Sequence, residues 1–420
     1  MRRADAEALD AVDELAWARR QFRLPEGLLY FDGNSLGPLT HASRERLRRV
    51  TDLEWGEDLI TSWTGHDWIG LARSVGAKIA PLVGAEPDQV VVCDSVSVNL
   101  LKVLAAAVGL RPEARTLLCQ ADHFPTDLYV AQGLAQALGR DYEVRYVEVD
   151  DLERFWADDP KRHDVAVLCL SHVDFRSGHL LSMGPITEQA QAAGAAVVWD
   201  LSHSAGALPV HLDACRVDFA VGCTYKFLNG GPGAPAFLYA ARRHLPHCRQ
   251  PLQGWLGHRE PFAFRRHYEP ADGIDRFVSG TPPILALASL DAALDLWLEV
   301  DIVALRRKSE ALGELFLDLV QARLGDLNDG EPGWSVASPR RPSERGSQIC
   351  LGHPEAYAVM QALIERRLVG DFREPDILRF GLTPLYHRYV DVWDAVTVLE
   401  RVLRDGVFKD PRFSARAKVT

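Results

Sequence analysis

Lysine is scarce in this sequence: seven residues against 40 arginines in a chain of 420. A lysine set inside an apolar motif therefore stands out. The seven cysteines (Cys93, Cys119, Cys169, Cys215, Cys223, Cys248 and Cys350) are odd in number, scattered, and never spaced C-x-x-C. That argues against a disulfide framework or a structural zinc site and fits a reducing compartment. No apolar run approaches the roughly eighteen residues a bilayer span requires. Residues 1–30 hold no apolar core of a secretion signal, acidic and basic residues recurring throughout. Positive charge is in deficit as well, 47 Lys and Arg against 58 Asp and Glu, for a net charge of −11. Nucleic acid or an anionic membrane is thus a poor match for the main partner. The expectation is a soluble cytoplasmic enzyme.

What is present is globular: 47% hydrophobic and 25% charged residues. Residues 5–22 read as an acidic amphipathic helix leading into a short strand at 28–31, then a turn-rich loop, Asp32-Gly33-Asn34-Ser35-Leu36-Gly37-Pro38. Between 70 and 245, helical patterns alternate with short apolar runs at 90–93, 116–119, 144–147, 165–170, 196–199 and 219–222. Continuous apolar strands separated by helices are what a parallel sheet buried on both faces requires. Residues 284–299 and 302–322 read as long helices and 325–333 as a loop. A tail follows of strand 348–351, a helix around 354–367, strand 377–380 and helix 390–404. The tail suits a smaller α/β domain packed on the large one.

Two stretches carry chemistry. In Val198-Trp199-Asp200-Leu201-Ser202-His203 an apolar strand ends in an aspartate, where ligands of open α/β sheets bind; taken alone, the aspartate is equally a helix cap. In Phe219-Ala220-Val221-Gly222-Cys223-Thr224-Tyr225-Lys226-Phe227-Leu228-Asn229-Gly230-Gly231-Pro232-Gly233 a lysine follows the next strand and precedes a glycine-rich loop. Strand-end Asp then strand-end Lys is the arrangement of pyridoxal-phosphate enzymes with an aspartate-aminotransferase-like fold. Their cofactor needs a dry amine for a Schiff base and a carboxylate on its pyridine nitrogen. Candidate phosphate sites are the helix starts at Asp94-Ser95-Val96-Ser97 and Ser279-Gly280-Thr281-Pro282, although serine and Thr-Pro at helix starts are also ordinary caps. Phe124-Pro125-Thr126-Asp127 offers an aromatic face and a carboxylate. The histidines form no metal-spaced cluster, so no metal is expected.

Together with residues 30–37, Gly254-Trp255, Gly280-Thr281-Pro282-Pro283-Ile284 and Gly370-Asp371-Phe372-Arg373…Leu378-Arg379-Phe380-Gly381, these motifs resemble the kynureninase family in its bacterial form, in order, from about residue 28 to 400. The resemblance implies pyridoxal-phosphate fold type I, in the class V aminotransferase-like group. A mostly parallel seven-stranded sheet would lie in the large domain, with a smaller C-terminal α/β domain. By that reading residues 1–55 are an N-terminal arm contributing to the small domain, 56–295 the large domain and 296–420 the small one. The implied reaction is hydrolysis of L-kynurenine to anthranilate and L-alanine, in tryptophan catabolism and towards NAD biosynthesis, by a homodimer with shared active sites.

Position by position, the resemblance makes Lys226 the Schiff-base lysine, Asp200 the partner of the pyridine nitrogen and Phe124 the stacking ring. Val96 (by its backbone) and Ser97 would cradle the phosphate, completed by Tyr225, Trp255 and Thr281, some from a partner subunit. Pro125, Thr126, Asp127, Ser171 and His203 would also contact the cofactor. Arg379 matches the clamp on the substrate carboxylate. Trp63 and Thr281 match the aryl end of the substrate pocket, in a form that prefers kynurenine to 3-hydroxykynurenine. Asn34, Ser35 and Gly280 belong to the substrate side, and Tyr225 would relay protons beside Lys226. Val96, in place of a small hydroxyl residue, and Phe175-Arg176-Ser177-Gly178 depart from the family pattern.

The nearest rival is a cysteine desulfurase or selenocysteine lyase on the same fold. Such enzymes carry a reactive cysteine on a mobile loop and a histidine before the lysine. Here Tyr225 precedes Lys226, and Cys350 lies in an apolar strand pattern. A catalytically idle cofactor-binding protein would have lost Lys226, Tyr225 or Arg379.

Overall fold

The computed structural model describes residues 1–325 and 333–416. The chain begins with α1 (Arg3–Ala11), β1 (Leu29–Tyr30) and α2 (His41–Arg49), then α3 (Ser62–Gly65) and α4 (Leu71–Ile79). The single helix expected over 5–22 is broken: α1 ends at Ala11, and a separate 3-10 turn spans Ala16–Gln21. Asp13 is the cause. Its carboxylate accepts the Leu15 amide at 3.0 Å and the Lys308 ammonium at 2.7 Å, a local alternative to helical bonding.

The large sheet follows as β2 (Val90–Val92), α5 (Val96–Leu110), β3 (Thr116–Gln120), α6 (Pro125–Leu138), β4 (Glu143–Val147), α7 (Leu152–Asp158), β5 (Val165–Ser171), α8 (Met183–Ala192), β6 (Ala196–Asp200), β7 (Phe219–Gly222) and β8 (Phe237–Ala240). Its seven strands lie in the order β2-β8-β7-β6-β5-β3-β4, and β8 alone runs against its neighbours. Every residue of β2, β3 and β5–β8 is buried, as apolar strands covered by helices on both faces must be. The register Ser171↔Asp200↔Val221 aligns the carboxyl ends of β5, β6 and β7 on one edge. That edge is where the site forms.

The tail begins with α9 (Ile284–Asp295), which gives way to a 3-10 turn before 299, and α10 (Ile302–Leu324). It continues with β9 (Ser335–Val336), β10 (Gln348–Gly352), α11 (Ala356–Glu365), β11 (Leu368–Val369), β12 (Asp371–Arg373), β13 (Ile377–Gly381) and α12 (Tyr389–Arg404). Strands β12-β13-β10-β9 make an antiparallel sheet, and β1 pairs with β11 in parallel. The loop expected over 325–333 falls almost wholly outside the described residues. A second apolar core, including Phe31, Phe316, Leu363, Phe380 and Val396, packs around this smaller sheet. Among the described residues no helix is long and apolar enough to cross a membrane.

Candidate active site

Asp200 is the last residue of β6, and its Oδ1 accepts both the amide (2.8 Å) and the hydroxyl (2.6 Å) of Ser202. The same hydroxyl accepts the Cys223 amide at 3.2 Å, so the ends of β6 and β7 are pinned together. Lys226 follows β7, its Nζ 2.9 Å from His203 Nε2. Burial, and then the nearby Lys226 charge, hold His203 well below the usual histidine range. The imidazole is therefore neutral and accepts from the lysine. The lysine loop turns back through Asn229 (φ +58°) and Gly231 (φ +97°), and the Tyr225 carbonyl accepts the Gly37 amide at 2.8 Å. Gly37 is required there: a Cβ would overlap the Lys226 carbonyl oxygen.

Around Lys226 opens a cavity of about 550 Å³. Ten of the expected residues line it: Val96, Ser97, Phe124, Thr126, Asp127, Ser171, Asp200, His203, Tyr225 and Lys226. Its floor includes the start of α5, where Ser95 Oγ accepts the Val98 amide and caps the helix that begins at Val96. Phe124 meets Phe175 edge-on with centroids 5.3 Å apart. Asp127 is buried with its carboxyl 3.1 Å from His123 Nδ1. Burial, and then the neighbouring Asp200, raise it well above the usual carboxylate range. The phenol of Tyr225 is also pushed up, first by Cys223 and then by burial.

A second cluster adjoins this cavity through Phe175. Arg379 on β13 is buried and donates to Asp371 Oδ1 (2.8 Å), to Asp371 Oδ2, to Ser35 Oγ (2.9 Å) and to the Phe175 carbonyl (2.6 Å). Arg373 also donates to Asp371, at 2.7 Å. Asp32 is pushed up to about 7, chiefly by burial and then by Asp371. Asn34 is fully buried beside Gly381. Sequence reasoning missed Asp32, Phe175, Asp371 and Arg373 as site-forming groups. Their own motif strings contained them, but their pairing joins segments more than a hundred residues apart.

The remaining expected residues lie elsewhere. Pro125 opens α6 between Phe124 and Thr126. Trp63 is half-buried edge-on to Trp68 at 5.9 Å. Gly280 and Thr281 are exposed, and Trp255 is 37% exposed, packed against Phe262 and Phe264. None of these five lines the cavity.

The donor set fits pyridoxal phosphate. The cavity is of ligand size and holds one amine, one strand-end carboxylate and an aromatic ring. The same cavity is lined by a helix N-terminus with the hydroxyl residues Ser95 and Ser97, which is chemistry suited to a phosphate.

A family model described as Aminotransferase class-V matches residues 64–329, and one described as Kynureninase C-terminal domain matches residues 305–399. The chain is 47% identical over 424 residues to a kynureninase of Burkholderia mallei, covering 100% of this chain and 99% of that one. It is 44% identical over 422 residues to a kynureninase of Pseudomonas fluorescens, with the same coverage. Among solved structures, a C-DES mutant with glycine covalently linked to its PLP cofactor superposes with a TM-score of 0.77 at 17% identity, covering 91% of this chain and 98% of the other. The cysteine desulfurase CsdA of Escherichia coli gives 0.74 at 18%, covering 94% and 99%. At such identity these two show the fold alone, that of the class V aminotransferases, whereas the full-length relatives fix the branch: this chain belongs to the kynureninase family.

Proposed function

We propose that the chain cleaves L-kynurenine with one water to anthranilate and L-alanine, as a pyridoxal-phosphate-dependent hydrolase acting on a carbon–carbon bond. The observation that carries the site assignment is the meeting of Lys226 and Asp200, from neighbouring strand ends, in one cavity floored by a helix N-terminus. When bound, pyridoxal phosphate supplies the electron sink for charge left on the substrate carbons.

The chain's own residues do the rest. Lys226 holds the cofactor and is the base placed to take and return the substrate's α-proton, with neutral His203 accepting its N–H and orienting it. Asp200, whose Oδ1 accepts both Ser202 donors, would pair with the ring nitrogen. Phe124 would stack on the ring, and Val96, Ser97, Thr126 and Ser171 would contribute to its shell. Tyr225, whose phenol keeps its proton, acts as the acid in the late protonation. Arg379 binds the substrate carboxylate; its Nη1 bond to the Phe175 carbonyl is the one the substrate replaces, since Asp371 holds the Nε edge. Trp63 and Thr281 shape the aryl end, with kynurenine preferred over 3-hydroxykynurenine.

The desulfurase alternative finds no support in Cys350, which is fully buried in β10 with its thiol pushed up to about 12 by burial. The exposed cluster of Trp255, Phe262 and Phe264 supports a homodimer in which Trp255, Gly280 and Thr281 complete a partner's site. Residues 1–55, 56–295 and 296–420 are read as arm, large domain and small domain, in the cytoplasm, serving tryptophan catabolism.

The test is an absorbance and fluorescence scan of the purified protein with kynurenine. Loss of the substrate band with growth of anthranilate fluorescence supports the reading; sulfide release from cysteine instead would replace it. Kinetics on both kynurenines decide the preference, and sedimentation the assembly.

A further inference from the structure

Of the seven lysines, Lys102 is wholly buried and lies outside the cavity lining. It sits on α5, the helix whose N-terminus floors the cavity. Its ammonium donates to Asp94 Oδ2 at 2.5 Å and to the Phe277 carbonyl at 2.5 Å, with Cys93 Sγ at 3.9 Å. Taking an ammonium fully out of water is costly unless every donor is used. Here the surroundings are organised for it. Burial pushes the Cys93 thiol up to about 12, so it remains a neutral donor, reaching Asn99 Oδ1 at 3.3 Å. Asn99 Nδ2 in turn donates to the Cys93 carbonyl at 2.7 Å. Asp94 has its backbone in the left-handed region (φ +48°), a conformation that persists only where the surroundings impose it.

The network ties the turn that would hold this subunit's phosphate to the segment that the proposed function gives to a partner's site. Asp94, Ser95, Val96 and Ser97 line the cavity, and the Asp94 carbonyl accepts the amide of Ala236, another lining residue, at 2.8 Å. Phe277 leads through Ser279, whose carbonyl accepts the Leu256 amide at 3.3 Å, into Gly280 and Thr281. Gly254, just before Trp255, lies so close to Ser279 that a Cβ would overlap its backbone.

We propose that Lys102 is a positioning residue for the cofactor phosphate: a buried ammonium that fixes the 94–97 turn and the 277–281 segment against each other. The inference rests on the phosphate end of the cavity being where the proposed function puts it. Lys102 itself touches neither cofactor nor substrate.

The experiment compares how tightly apoenzyme binds pyridoxal phosphate and pyridoxal, by tryptophan-fluorescence titration. In Lys102→Met the preference for the phosphorylated form falls about tenfold, the scale of a helix-terminus contribution to anion binding, while the affinity for pyridoxal holds. An unchanged preference, or equal weakening towards both ligands, overturns the proposal, the latter marking a purely structural lysine. If Lys102→Met does not fold, the neutral, near-isosteric Asp94→Asn/Lys102→Met pair carries the same comparison, and failure of that pair to fold also overturns it in favour of a structural role. Wild-type protein with no preference for the phosphorylated ligand would instead remove the phosphate-site reading beneath it.

Discussion

Lys226 Nζ lies 2.9 Å from His203 Nε2, and the imidazole that receives it is kept neutral by burial and by the lysine's own charge. The contact ties the lysine to the turn that follows β6. Under the proposed function, Lys226→Ala removes both the nucleophile and the base. The variant is expected to show no visible absorbance band after incubation with pyridoxal phosphate and to lose roughly a thousandfold or more in kcat. An absorbance scan with a turnover assay checks both, and retained turnover contradicts the assignment.

Arg379 is gripped along its Nε edge by Asp371 and points its remaining donors at Ser35 Oγ and the Phe175 carbonyl. A lysine has one ammonium and cannot hold Asp371 and a second carboxylate in the same planar fork. Arg379→Lys is expected to raise KM for kynurenine roughly ten- to a hundredfold, the worth of one hydrogen bond to a charged group. Pyridoxal-phosphate binding should be unaffected, because Lys226 and the start of α5 are untouched. Steady-state kinetics beside a cofactor titration separate the two; an unchanged KM would remove Arg379 from substrate recognition.

Asp32 gives a pH dependence opposite to that of ordinary carboxylates. Burial, then Asp371, push it up to about 7 from 3.8, so the folded chain binds this proton more tightly than the unfolded one. Its stabilising effect is complete below about pH 4 and is lost as pH rises through 7. Asp32→Asn keeps the neutral shape at every pH. Its melting temperature relative to wild type is expected to be higher at pH 8 than at pH 5. Differential scanning fluorimetry at both values checks this, and a difference of the opposite sign refutes it.

The large sheet and the Lys226–Asp200 pair were legible because both are local signals. Runs such as 165–170 and 219–222 are apolar without alternation, Asp200 closes its strand, and Lys226 comes four residues after the next one ends. Phe237-Leu238-Tyr239-Ala240 escaped notice as a strand because it follows the glycine-proline loop without a helix between, entering the sheet antiparallel. The break in the first helix was hidden because Asp13 finds Lys308, far along the chain. Asp32, Phe175, Asp371 and Arg373 converge on Arg379 from three separate segments. Such convergence exists only once the smaller sheet has docked, and no spacing in the sequence announces it.

Gly37 joins the N-terminal segment to the lysine loop, its amide donating to the Tyr225 carbonyl at 2.8 Å and its open face set against the Lys226 carbonyl. The obstacle to a side chain is backbone and the Asn229 side chain, so no rotamer change makes room. Gly37→Ala must push the 225–229 turn away from the segment that carries Ser35 towards Arg379. The expected outcome is a loss of about 1–3 kcal/mol in stability, as for other overpacked interiors. A weakened pyridoxal-phosphate affinity should accompany it, because the displaced turn holds Lys226. Chemical denaturation gives the first quantity and fluorescence titration the second. A variant that is destabilised yet binds the cofactor as tightly as wild type would show that the turn holding Lys226 is set by β7 alone, without the N-terminal loop.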